Sequence, residues 1–232
     1  MSIKSKDMGN ITKQLLVTLD YTNIIMLYEF GDDVTIEEIV EKCKSGTHLS
    51  WLSSTIHVPP ILRLKADLEC IKLISHLIVD ERLIDSLKIA ELYAEGQATE
   101  EEFEKAKAIA KQAASDVNRH KLKEDFGFLY VQSASAVSTL FNYEEYNTLL
   151  TVPRQLPNIL AWDSVRQNGV YTDVQNEIER TTAEIYVKHM GQSMIDIVNT
   201  LLNDKFTVQM LKTMRTSIFS KDAKPYYKKT WE

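Results

Sequence analysis

Residues 80–110, DERLIDSLKIAELYAEGQATEEEFEKAKAIA, constrain this chain more than any other stretch, because they spell a helix, a stop, a turn and a second helix. Leu83, Ile84, Leu87, Ala90 and Ala94 recur at three- and four-residue spacing, which places them on one helix face. Gly96 closes that helix, since glycine enters the left-handed conformation without a Cβ clash. Thr99 opens the next helix, with Glu102 three positions on, the spacing of a capping box. Glu100 and Glu101 put negative charge in the first turn, where the helix dipole favours it. A stripe of Phe103, Ala106, Ala110, Ala113 and Val117 then carries the second helix to about His120. Its small side chains let a neighbouring helix approach closely.

The rest of the chain reads the same way. With only 7 Gly and 5 Pro in 232 residues it lacks the turn residues of an all-β protein, and its 44% hydrophobic content is enough for a sizeable core. Residues 11–30 are apolar and admit a helix or two short strands, with helix favoured. Thr35 and Glu38 form a second capping-box pair, opening a helix that ends near Ser45-Gly46. Trp51 and Leu52 lie in a short segment stopped by Pro59-Pro60. A helix to about Val79 follows, with Leu64, Leu68, Ile71, Leu77 and Ile78 inward and Lys65, Asp67, Glu69 and Lys72 facing water. Beyond the charged link 121–125, residues 126–141 form a buried helix. Pro153 and Pro157 bracket a loop, Asn158 caps a helix ended by Gly169, residues 172–203 form one long helix that Gly191 interrupts, and 206–219 a last amphipathic one.

The expected fold is therefore all-α: a bundle of about nine helices with an antiparallel helical hairpin at 80–118 and a long helix at 172–203. The expected organisation is an N-terminal helical domain over 1–120, a C-terminal helical region over 126–219 and a tail over 220–232, with a single domain as the alternative.

The chemistry is sparse. The 2 cysteines, Cys43 and Cys70, are too few for a disulfide framework and fit small buried core residues of a reduced, cytoplasmic protein. The start of the chain lacks the apolar run of a signal peptide, and no window is apolar for long enough to span a membrane. None of the 5 histidines stands at metal-ligand spacing, and no phosphate-binding glycine loop or nucleophile elbow occurs, so no cofactor is expected. His76 reads as a partly buried, hydrogen-bonded histidine. Glu38 with Glu41, and Glu101 with Glu104, have the ExxE spacing with which all-α nucleotide pyrophosphohydrolases hold Mg²⁺. The first-turn and surface positions of these acids are accounted for by the dipole and by solvation. A net charge of -6 disfavours general nucleic-acid binding. The exception is the tail, where four lysines against two acids interleave with Tyr226, Tyr227 and Trp231, a composition that also suits docking on a protein.

Trp51 and Leu52, Cys70, Asp80 and Arg82, then Ala90, Tyr93, Gly96, Ala98 and Thr99 ahead of the alanines at 106–114, form a pattern. It resembles that of uncharacterised α-helical proteins of bacteria, prophages and phages, among them a toxin-immunity-like family. The resemblance spans about residues 35–118. It implies a non-catalytic accessory protein of a phage or mobile element, acting in the bacterial cytoplasm. Such a protein binds a host, toxin or defence protein, with Trp51, Asp80, Arg82, Tyr226, Tyr227 and Trp231 as candidate contacts. The acidic charge suits a partner with a basic surface. A Mg²⁺-dependent nucleotide hydrolase using Glu38, Glu41, Glu101 and Glu104, and a phage structural or assembly component built as a homo-oligomer, are the alternatives.

Overall fold

A computed structural model describes residues 34–143, 151–169 and 174–204, together with positions 12, 15, 16, 30 and 207. Among these residues the chain is all-α. The helices are α1 (Ile36–Lys42), α2 (Gly46–Thr55), α3 (Pro60–Lys72), α4 (Glu81–Ala94), α5 (Glu100–Lys121), α6 (Gly127–Leu140), α7 (Val152–Asn168) and α8 (Gln175–Asn203), with a 3-10 turn at Ser75–Leu77. Eight helices among the described residues are close to the nine expected of the whole chain. The choice of helix or strand for 11–30 (Thr12, Leu15, Leu16 and Phe30 apart), the helix at 206–219 and the tail with Tyr226, Tyr227 and Trp231 lie outside the described residues.

The chain divides into two compact units, residues 1–39 with 195–232, and residues 40–194. The boundary expected near 121–126 lies inside the second unit, where α5 and α6 pack against each other. In the first unit Val34, Ile36, Ile39, Val198 and Leu202 are buried, and Asn199 Nδ2 donates to Glu37 Oε1 at 2.8 Å. That bond holds the Glu37 carboxyl below the usual range.

In the second unit the hairpin forms as its residues require. Asp80 caps α4 by accepting from the Arg82 backbone N–H, Gly96 turns the chain at φ 74°, and both halves of the Thr99–Glu102 capping box are present. Phe103, Ala106, Ala110, Ala113 and Val117 are all buried. Ile84 departs from the pattern: it is 39% exposed, at the edge of the stripe. Phe103 stacks between Tyr93 (centroids 4.4 Å) and Phe141 (5.1 Å), with Tyr143 edge-on at 5.5 Å. At the centre, α6 buries Leu129, Ser133, Ala134, Ala136, Val137 and Leu140 and meets α3, α4, α5, α7 and the 3-10 turn.

Several expectations need correction. The helix after Thr35 stops at Lys42, and Gly46, read as its terminator, begins α2 behind a Ser45 cap. Glycine is required there by packing, because a Cβ would stand 2.5 Å from Thr182 Oγ1 on α8. The helix after Pro60 ends at Lys72, and a 3-10 turn then buries Leu77. Asp67, assigned to water, is 5% exposed. Finally, Pro153 and Pro157 lie inside α7 and do not bracket a loop. Pro153 occupies the first turn, where no N–H is needed, and Pro157 costs one helical hydrogen bond. Asn158 is no cap, and its Nδ2 donates to Gln132 Oε1 at 3.3 Å. Gly169 ends α7 in the left-handed conformation, as expected, and α8 runs through Gly191 unbroken.

Candidate functional site

Three of the four ExxE carboxylates make local contacts. Glu38 Oε2 accepts from the Thr35 backbone N–H at 3.1 Å, closing its capping box. Glu41 is exposed, while Glu101 pairs with Lys105 at 2.7 Å and Glu104 with Lys107 at 3.3 Å. Among the described residues no group of three or more His, Cys, Asp or Glu is placed to hold a metal ion.

Asp80 and Arg82 act on the hairpin itself. Arg82 gives Nε and Nη2 to the two oxygens of Asp80, at 3.0 and 2.7 Å, and Nη1 to Asp116 Oδ2 on α5, at 2.9 Å. Asp116 also takes Arg119 at 3.2 Å and Gln112 at 3.0 Å. The guanidinium thereby pulls both carboxyls below their usual range, and their hydrogen bonds raise the Arg82 pKa in return. The part of the motif least explained by helix rules is an interhelical brace. Trp51, 3% exposed, belongs to the core. Both cysteines are free and buried, and burial raises the Cys70 thiol.

A surface missed in the sequence lies where α5 turns into α6. The turn is tight: Glu124 N–H donates to Lys121 O at 2.9 Å and Gly127 N–H to Glu124 O at 2.8 Å. Phe126 is held at φ 57°, a left-handed conformation that side chains rarely adopt. Gly127 follows because a Cβ at that position would overlap Lys121 O at 1.7 Å. The turn sets Phe126 beside Phe128 (6.3 Å) and Phe128 edge-on against Trp162 of α7 (5.6 Å). Trp162 is 38% exposed and Leu122, in the same turn, 57%.

Behind the rings stands a rigid polar group. Asp163, 3% exposed, accepts from His76 Nε2 at 2.8 Å, from Arg166 Nε at 2.9 Å and from Gln167 Nε2 at 2.6 Å. Burial pushes its carboxyl up, but the His76 and Arg166 contacts outweigh that and hold it below the usual range. Arg166 donates Nη1 to Tyr130 OH at 3.3 Å, with its guanidinium carbon 6.0 Å from the centre of that ring. Trp162 and Arg166 stand four residues apart on α7, and so on one helix face, and Trp, Tyr and Arg are the residue types that dominate protein-interface energetics. A polar cleft of about 490 Å³, lined by Ser45, Thr47, His48, Arg154, Asn158 and Glu179 among others, opens beside the start of α2. The chain matches no protein-family model, no curated protein and no solved structure.

Proposed function

We propose that this is a non-catalytic binding protein that docks a protein partner on the Phe126–Phe128–Trp162 surface and thereby blocks or redirects it. One observation carries the reading: three aromatic rings form a cluster with a half-exposed tryptophan, beside an arginine that Asp163 already immobilises. Little side-chain entropy is then lost on binding, which favours such a surface as an anchor. The net charge of -6 supports a partner with a basic face, by steering its approach. The sequence resemblance over 35–118 supports a phage or mobile-element origin and a host, toxin or defence protein as the target.

The test is affinity capture with the tagged full chain from the cells that express it, run beside Trp162→Ala and Phe128→Ala. The wild-type chain is expected to retain a stoichiometric protein. Each variant should weaken that complex by roughly 30-fold or more, the effect of removing a hot-spot aromatic, with the helical circular-dichroism signal unchanged. Absence of any stoichiometric partner, or equal retention by both variants, defeats the proposal. Light scattering on the purified chain separates a one-to-one binder from the alternative of a large symmetric assembly.

A further inference from the structure

A small cavity, sharing no lining residue with the aromatic surface, lies where α2 ends and α3 begins. It measures about 120 Å³ and is lined by Ser53, Ser54, His57, Pro60, Arg63 and Tyr143 among others. That is room for several water molecules, or for one tetrahedral oxyanion in their place.

The wall is polar and carries one sign of charge. Arg63 is 7% exposed, a cation largely withdrawn from water. Its guanidinium has five N–H donors in a fixed fork, more than a single partner takes up. Among the described residues no carboxylate lines the cavity. Asp67 stands one turn along α3, but its Oδ1 accepts the Tyr186 hydroxyl from α8, and burial pushes the carboxyl up to about 7. Near neutrality it therefore offsets only part of the Arg63 charge. The end of α2 and the start of α3 both border the cavity, so their opposite dipoles offset each other.

The turn between these helices is strained. His57 is held at φ 58°, with its backbone N–H donating to Ser54 O at 3.2 Å. A glycine would serve that conformation without the cost that a Cβ incurs. What the position has instead is an exposed imidazole on the cavity wall, and strain of this kind gathers at ligand clamps. Ser53 gives its hydroxyl hydrogen to Ser50 O at 2.7 Å and Tyr143 gives its own to Tyr93 OH at 3.4 Å. The side-chain donors left to the cavity are those of Arg63, Ser54 and His57.

We infer that this cavity binds a single phosphate group, with Arg63 supplying the charge and Ser54 and His57 donating to its oxygens from the turn. Hydrogen bonds from a guanidinium to phosphate are among the strong ones.

Calorimetric titration of the full chain with inorganic phosphate, at an ionic strength fixed with chloride, tests the assignment. Saturable binding of one ion per chain at millimolar concentration or below is expected. Arg63→Gln should weaken it by about 10-fold or more, the effect of losing hydrogen bonds to a charged group. His57→Gly should raise the melting temperature, because the left-handed turn then carries no side chain, and should weaken phosphate binding as well. A residue that served only the turn would show the first effect without the second. Methyl phosphate forms the second arm: tighter binding than inorganic phosphate assigns the site to a phosphoryl end group, weaker binding to the free ion, and both support it. Heats that do not saturate with either probe, or an unchanged affinity in Arg63→Gln, overturn the proposal. If Arg63→Gln does not fold, an unchanged affinity in His57→Gly overturns it.

Discussion

Replacing Gly127 with alanine is expected to destabilise the second unit by about 3 kcal/mol or more, the upper range for a forced overlap in packed structure. The added Cβ would lie 1.7 Å from the Lys121 carbonyl oxygen and 2.7 Å from its carbon. Both are backbone atoms in the last residue of α5, so no side chain can swing aside. Relief requires unwinding the end of α5 or lifting α6, and either motion takes Phe126 and Phe128 away from Trp162. Gly96→Ala is the control. It has a positive φ, which Gly127 does not, but its Cβ would meet nothing within 4 Å, so only the conformational cost of about 1 kcal/mol applies. Urea unfolding compares the two midpoints directly. A Gly127→Ala midpoint no lower than that of Gly96→Ala would mean that the turn is not as tight as described.

The second large effect is expected for Phe103→Ala, at roughly 3–5 kcal/mol, the range for emptying a buried aromatic site. Phe103 is 1% exposed and its ring touches those of Tyr93, Phe141 and Tyr143. The hole would open between α4, α5 and the end of α6. Those backbones are already drawn close by alanines, so they cannot collapse further to fill it. In a chain of this size the melting temperature should fall by about 10 °C or more, measured by circular dichroism at 222 nm. A fall of only a degree or two would place Phe103 outside the cooperative core.

The hairpin was the most legible part of the fold, because its cues are local. Asp80, Gly96, Thr99 and Glu102 act on backbone groups within a turn of themselves, and each did what its spacing required. Misreadings came where a distant residue decided. Gly46 looks like a stop, but its role is set by Thr182 on α8. Asp67 looks solvated by helical periodicity, but Tyr186, far along the chain, covers it. Pro157 reads as a loop residue until Pro153 and Thr151 start the helix ahead of it. The aromatic surface had a weaker signal still. Phe126, Gly127 and Phe128 were visible as a change of character after the charged link, but only tertiary folding brings Trp162 to them. His76, read as hydrogen-bonded and partly buried, is hydrogen-bonded to Asp163 but is itself exposed.

The small-residue stripe of α5 has a consequence for how the hairpin is held. Ala106, Ala110 and Ala113 are three of the five buried positions on that helix, and an alanine freezes no side-chain rotamer on folding. The hairpin therefore forms with little loss of side-chain entropy, and its cohesion comes from dispersion between closely apposed backbones. Such a contact has no slack. Larger side chains along the stripe would add apolar area but push the helices apart, so it is the closeness of the two axes, and not the mass of side chain between them, that stabilises this part of the molecule.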